Sequence, residues 1–131
     1  MIVADTDVLI DFLAGRDPGA ARVAIELDRG LLRTTAVTRF ELLAGARNKS
    51  EESMIQELLV GVPTLGLDAQ AADQAAEIQR VLQRTGESIG MADSLIAGIV
   101  LTHGATLLTR NRRHFARVSG LRLAELPAES A

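Results

Sequence analysis

The sequence contains no cysteine, no tryptophan and no tyrosine, and only three phenylalanines. Without cysteine the chain can form neither a disulfide framework nor a thiolate metal site, so any metal must be bound through oxygen or imidazole. With so few aromatic side chains, base stacking is a poor primary mode of nucleic-acid recognition. No apolar run approaches the roughly 20 residues of a membrane-spanning helix, and the N-terminus lacks the pattern of a secretory signal. These features favour a cytoplasmic protein that does not enter a membrane.

Positive charge is carried almost entirely by arginine. Lys49 is the one lysine, and the formal net charge of −3 argues against a surface that binds nucleic acid over its whole extent. Four arginines fall within eight positions, at Arg110, Arg112, Arg113 and Arg117. Because the guanidinium is a planar fork that suits phosphate, this cluster is a candidate phosphate-binding rim. The alternative is an ordinary solvated loop.

Short apolar runs alternate with helical patterns along the 131 residues. The patterns predict strands at 2–4, 32–36, 64–66, 106–109 and 121–124, and helices at 7–14, 18–29, 38–47, 50–60, 68–84 and 88–102. This alternation predicts an α/β fold, with a mainly parallel sheet of four to five strands flanked by helices. Ligands of such sheets bind beyond the carboxyl ends of the strands. The length fits one domain over residues 1–131, of which about 127–131 are expected to be a flexible tail.

Two predicted elements carry acids near their ends. Asp5 ends the first strand and Asp7 follows two positions later, a crowding of negative charge that indicates a cation, a shared proton or a reaction. The alternative is a helix cap, for which Thr6 or Asp7 alone would serve. Glu41 follows Thr38 by three positions, which is also the spacing of a capping box.

Two later positions are also polar within apolar surroundings. If residues 88–102 form one helix, Asp93 lies in its apolar stripe between Ile89 and Ile96. Such a carboxylate needs partners or a cation, because unpaired burial costs several kcal/mol. Alternatively, Asp93 caps a helix that starts later. Asn111 follows the fourth strand, where a turn residue is the other explanation.

The chain resembles the PIN domain, and specifically the VapC-type toxins of bacterial toxin–antitoxin pairs, over essentially its whole length. The resemblance rests on four segments in order: IVADTDVL at 2–9, TRFELLAGA at 38–46, ADSLIA at 92–97 and LLTRNRRHF at 107–115. It implies a PIN-like α/β/α sandwich that is usually a homodimer. It also implies a metal-dependent endoribonuclease that cleaves cellular RNA, arrests growth and is neutralised by a cognate VapB-type antitoxin.

The same resemblance implies a set of site residues. Asp5, Glu41 and Asp93 are predicted to be catalytic and to hold Mg²⁺ or Mn²⁺, with Asn111 completing the catalytic set. The predicted substrate-binding residues are Thr6, Arg110, Arg112, Arg113 and His114.

The chain departs from the family pattern at two positions. Position 7 is commonly Asn in the family and is Asp here. Many members carry an acid just before the Phe, where this chain has His114. The fourth acidic position is therefore open: Asn111 or His114 completes the site, or a second metal binds weakly.

The residues also bear on the reaction without the family. Phosphodiester cleavage needs a polarised oxygen, an activated water and a stabilised leaving oxygen, which hard cations held by carboxylates supply. A side-chain nucleophile has little support, because cysteine is absent and neither histidine is paired with a serine by a recognisable motif.

Two alternative functions are open to the same residues. Asp5-Thr6-Asp7-Val8 resembles the first motif of haloacid-dehalogenase-like phosphatases, but Lys49 is the one lysine and no Asp-Asp or Glu-Asp pair follows it. A catalytically weak PIN-fold module that only binds a partner is the second alternative, against which the near-complete acid set argues.

Overall fold

The computed structural model describes residues 1–126, and the predicted tail at 127–131 lies outside them. The strands are β1 (Ile2–Ala4), β2 (Leu32–Thr35), β3 (Thr64–Leu65), β4 (Thr106–Leu108) and β5 (Arg122–Leu123). The helices are α1 (Thr6–Ala14), α2 (Gly19–Asp28), α3 (Ala36–Ala44), α4 (Lys49–Val60), α5 (Ala69–Arg84), α6 (Met91–Thr102) and α7 (Arg112–Phe115).

The five strands form one sheet in the order β3-β2-β1-β4-β5, and every pair of neighbours is parallel. Ile2 lies opposite both Leu32 and Thr106, so β1 is the central strand. The chain leaves β1 toward one edge of the sheet and later returns to place β4 on its other side. This reversal opens a crevice beyond the carboxyl ends of β1 and β4, where ligands of such sheets bind.

Successive residues of each strand face opposite sides of the sheet and enter two separate cores. Ala4 and Leu108 pack in the core with α1, α2 and α4, whereas Val3 and Leu107 pack in the core with α5, α6 and α7. The neighbouring strands β1 and β4 are mainly apolar because helices cover both faces of the sheet. The predicted α/β fold with a parallel sheet is therefore confirmed.

The second core depends on a close approach between α5 and α6. A Cβ at Gly98 would lie 2.6 Å from the carbonyl oxygen of Ala71 and 2.8 Å from the amide nitrogen of Ala75. Only glycine fits at this contact, because both atoms belong to the backbone and cannot move aside. The contact fixes the position of α6, whose N-terminus faces the crevice.

Most predicted elements are confirmed, with ends that shift by up to three residues. The helix predicted at 88–102 starts at Met91, because Gly90 has a φ of 91° that a helix does not allow. The sequence patterns missed α7, which has only four residues. Within the described residues, no helix is long and apolar enough to cross a membrane.

Candidate active site

Asp5 stands at the carboxyl end of β1, in the crevice between β1 and β4. Its backbone amide donates to the carbonyl of Leu108 at 2.9 Å, and this hydrogen bond links the carboxyl ends of β1 and β4. Oδ1 accepts from the amide of Thr6 at 2.8 Å, and Oδ2 accepts from the hydroxyl of Thr109 at 2.7 Å. Asp5 is thus the N-cap of α1, so the helix-cap alternative holds for Asp5, and neither Thr6 nor Asp7 is the cap.

Asp7 brings a second carboxylate to the same crevice. Its Oδ2 accepts from the amide of Arg110 at 3.0 Å and lies 3.3 Å from the hydroxyl of Thr109. That hydroxyl has one proton, which the shorter contact assigns to Asp5. The other oxygen of Asp7 is buried and finds no hydrogen-bond donor within residues 1–126. The crevice therefore holds more acceptor oxygens than donors.

Glu41 reaches the site from α3. The hydroxyl of Thr6 donates to its Oε1 at 2.7 Å and lies 3.1 Å from the hydroxyl of Thr38. The capping-box explanation is wrong, because the helix starts at Ala36 and the hydroxyl of Thr35 caps it. Glu41 lies in the second turn of α3 and is oriented by Thr6.

Asp93 lies in the first turn of α6, whose N-terminus faces the carboxyl edge of the sheet. Gly90 is the N-cap, so the alternative of Asp93 as a cap is wrong. The expected burial of Asp93 is only partial, because the side chain lies in the first turn of the helix and is 26% exposed. The partial positive charge of the helix N-terminus favours a carboxylate there.

His114 and Asn111 face Asp93 from the loop after β4. Nδ1 of His114 lies 3.9 Å from Oδ2 of Asp93 and 3.0 Å from Nδ2 of Asn111. Because the Asn111 amide is a donor, Nδ1 accepts from it in this arrangement. The loop after β4 therefore places an imidazole and an amide beside Asp93.

The arginines of the loop point in different directions. Nε of Arg110 lies 2.8 Å from Oδ2 of Asp11, and Arg112 donates to the carbonyl of Ala124. Arg113 is exposed and has no hydrogen-bond or ion-pair partner in the part of the chain that the structure describes. Of the four arginines in the predicted rim, three contact protein groups, since Arg117 faces the carbonyls of Glu87 and Ser88, and Arg113 alone has no such contact within residues 1–126.

Burial and mutual repulsion govern the charges of the site. Burial raises the pKa of Asp5 to about 7, and the neighbouring charges of Asp7 and Asp93 add to the rise. Burial also raises the pKa of Asp93, which Glu41 and Asp7 raise further and His114 opposes. The pKa of Asp7 is raised chiefly by burial. Negative charges repel one another in this site, so the site favours the uptake of protons or of a cation.

The raised pKa of Asp5 makes stability depend on pH in the metal-free protein. A carboxyl whose folded pKa exceeds its unfolded value stabilises the fold at low pH, and this contribution is lost as the pH rises toward about 7. In EDTA we expect the melting temperature to fall between about pH 5 and about pH 8 by roughly 4 °C or more. Asp5→Asn should weaken this dependence. An unchanged slope in a folded Asp5→Asn variant would argue against the assignment.

The donor set suits a hard divalent cation. Mg²⁺ and Mn²⁺ prefer oxygen ligands, and the crevice offers carboxylates together with one buried, unpartnered oxygen of Asp7. Within residues 1–126 no three acidic or imidazole groups lie close enough to enclose one ion. Mg²⁺ typically keeps several waters and is held through one or two carboxylates, so it does not require three protein ligands.

The comparison with known proteins identifies the architecture. A family model described as the PIN domain matches residues 2–121. The chain belongs to the PIN-domain family. Ribonucleases of this family generally depend on divalent metal ions. The match spans the three separate segments that carry Asp5, Glu41 and Asp93.

Individual relatives cover almost the whole of this PIN domain. The tRNA(fMet)-specific endonuclease VapC of Shigella flexneri is 32% identical, over 90% of this chain and 92% of that protein. The structure of VapBC-1 from nontypeable Haemophilus influenzae matches with a TM-score of 0.79 and 28% identity, over 95% of this chain and 98% of that chain. VapBC2 from Rickettsia felis, bound to a promoter DNA fragment, shares the fold at a TM-score of 0.84 and 22% identity, over 95% and 98%.

Two polar residues of this PIN domain were missed from the sequence. Thr109 is fully buried and donates to Asp5. The available signal was a polar residue directly after an apolar strand. Asp11 is buried as well, and its signal was a single acid four positions after Asp7 in an otherwise apolar stretch of α1.

Proposed function

We propose that this chain is a VapC-type toxin, an endoribonuclease that cleaves cellular RNA and arrests growth until a VapB-type antitoxin neutralises it. The observation that carries the proposal is the arrangement of Asp5, Glu41 and Asp93 at the carboxyl edge of the PIN-domain sheet, where the charge of Asp93 adds to the raised pKa of Asp5 and the charge of Glu41 adds to the raised pKa of Asp93. Relatives that match nearly the full chain are named as VapC endonucleases and ribonucleases.

Asp5 and Asp93 hold Mg²⁺ or Mn²⁺ directly in this proposal, and Glu41 holds it directly or through water. The cation supplies charge to the phosphate oxygens and lowers the pKa of a bound water. Nearby side chains keep the ligands in place: Thr109 donates to Asp5, and Thr6 donates to Glu41.

The loop after β4 supplies the remaining proposed contacts. Asn111 completes the catalytic set beside Asp93, and His114, whose Nδ1 lies 3.9 Å from Oδ2 of Asp93, is the proposed donor to a phosphate oxygen. The exposed guanidinium of Arg113 is free to contact the RNA backbone. Thr6 borders the same crevice, so it is a proposed substrate contact as well as the donor to Glu41.

The proposed function is tested with the purified chain and RNA. The Shigella flexneri relative is named as specific for tRNA(fMet), so that RNA is the first to test, followed by total cellular RNA. We expect discrete cleavage products in Mn²⁺ or Mg²⁺ and no hydrolysis of a simple phosphate monoester. Monoester hydrolysis alone would favour a phosphatase, and inertness toward all RNA would favour a partner-binding module.

The four carboxylates of Asp5, Asp7, Glu41 and Asp93 are called the acid cluster. A groove beside this cluster is a proposed docking site for the antitoxin. It lies between α1, α3 and α4, has a volume of about 470 Å³ and includes Glu41 in its lining. Its apolar lining includes Ile10, Leu13, Leu42, Met54 and Ile55. An antitoxin segment with apolar side chains would fill this groove and cover Glu41. Binding of the antitoxin would therefore also inhibit the enzyme.

We also propose that the chain forms a homodimer. The proposed compartment is the cytoplasm, which holds both the RNA and the antitoxin.

The groove predicts a variant that escapes the antitoxin. Met54 lines the groove and is 48% exposed, so Met54→Glu should fold. A charge in an apolar interface should weaken antitoxin binding by roughly 10-fold or more. The matched control is Val60→Glu on the same helix, which is 88% exposed and outside the groove. Titration calorimetry against the antitoxin checks this, and equal affinities for both variants would place the docking surface elsewhere.

A further inference from the structure

A buried carboxylate lies beside the active site without belonging to the acid cluster. The side chain of Asp11 is 6% exposed, and it follows Asp7 by one turn on the same face of α1. A carboxylate removed from water needs charged or hydrogen-bonding partners. Asp11 has two: Nε of Arg110 lies 2.8 Å from Oδ2, and Nε of Arg16 lies 3.4 Å from Oδ1.

Close packing restricts this carboxylate from a further side. A Cβ at Gly19, the first residue of α2, would lie 2.6 Å from Oδ2 of Asp11. Any larger residue at position 19 would therefore displace the oxygen that meets Arg110. The glycine and the two arginines leave Asp11 little room to adopt another orientation.

Arg110 is held by α1 at two points. Its backbone amide donates to Asp7 at 3.0 Å, while its guanidinium pairs with Asp11. Asp7 belongs to the acid cluster, so its contact with Arg110 can change when the cluster binds a cation or a proton. Asp11 lies outside the cluster, and its pair with Arg110 fixes the loop independently of that ligand.

The loop residues on either side of Arg110 contact the proposed machinery. Thr109 donates its hydroxyl to Asp5, and Asn111 contacts His114. We infer that Asp11 is a positioning residue for RNA cleavage, which acts through Arg110 to keep the loop 109–111 in register with the acid cluster. This inference rests on the proposed ribonuclease function and assigns Arg110 to the loop anchor.

The inference is tested by a double-mutant cycle in RNA cleavage. Asp11→Asn and Arg110→Ala should each lower kcat by roughly 10-fold, because small displacements of reacting groups are costly, and should leave KM within about twofold. The double variant should be no worse than either single variant, since both break the same link. Arg110 is half-exposed, so Arg110→Ala tests the inference even if Asp11→Asn does not fold.

Arg16→Ala is the matched control. It removes an arginine from Asp11 without touching the loop, so kcat should stay within about twofold of wild type. A second measurement does not depend on activity: hydrogen exchange of the amides in 109–115 should accelerate in Asp11→Asn and Arg110→Ala and stay unchanged in Arg16→Ala.

Several results would overturn the inference. A rise in KM with unchanged kcat in Arg110→Ala would make Arg110 a direct phosphate contact. Additive losses in the double variant, or unchanged exchange in 109–115, would show that Asp11 does not act through Arg110. If the wild-type chain cleaves no RNA while the exchange still changes, the proposed function fails and the loop anchor stands.

Discussion

Asp93→Asn is expected to lower the rate of RNA cleavage by roughly 10²-fold or more, the scale on which loss of one electrostatic group acts. The substitution keeps the size of the side chain and removes a charge from the first turn of α6. Because burial and the charges of Glu41 and Asp7 already raise the pKa of Asp93, the metal-free variant should be at least as stable as wild type.

Asp73→Asn is the matched control for this variant. Asp73 is exposed on α5, so the same change in net charge is made away from the site. Cleavage by Asp73→Asn should equal that of wild type. Near wild-type cleavage by a folded Asp93→Asn protein would remove Asp93 from the catalytic set.

Removal of divalent metal is expected to abolish cleavage and to change stability. EDTA should reduce activity to background, and Mg²⁺ or Mn²⁺ should restore it. Metal should also raise the melting temperature, because a cation relieves the repulsion among Asp5, Asp7, Glu41 and Asp93; saturation at 100 times Kd corresponds to about 2.7 kcal/mol. Zn²⁺ is not expected to be the native ion, since thiolates are absent and the chain has two histidines.

The stability measurement separates a shared metal site from unspecific binding. In Asp93→Asn the rise in melting temperature with Mn²⁺ should shrink strongly, whereas Asp73→Asn should behave as wild type. Thermal unfolding followed by circular dichroism, with and without millimolar Mn²⁺, checks this. If the melting temperature of the wild-type chain is the same with and without Mn²⁺, metal binding by the acid cluster is contradicted.

The fold was predictable because its signals are local and periodic. Apolar runs at 2–4 and 106–108 and the helical spacing in 69–84 mark elements that tertiary contacts do not override. The start of α6 was less predictable, because Ser88 and Ile89 fit a helical pattern and only the positive φ of Gly90 ends it. That difference of three residues places Asp93 in the first turn of α6, where its side chain is only partly buried.

The candidate acids could be named from the sequence, whereas most of the contacts that orient them could not. Asp5 and the loop after β4 lie together because β1 and β4 are neighbours in the sheet. The sequence can indicate this, because both polar segments directly follow predicted parallel strands. The direction of a long side chain depends on partners distant in sequence: Arg110 turns to Asp11 and Arg112 to Ala124, although both looked like free cations. The three-residue spacing from Thr38 to Glu41 fitted both a capping box and a site residue. The structure excludes the capping box, because Thr35 and not Thr38 is the N-cap of α3.

The most direct test of the central claim is to map RNA 5′ ends in cells that express the wild-type chain or Asp93→Asn at equal levels without antitoxin. We predict growth arrest together with new, discrete RNA ends for the wild-type chain, and neither for Asp93→Asn. Identical sets of RNA ends in the two cultures, with or without growth arrest, would contradict an RNA-cleaving site built on these acids.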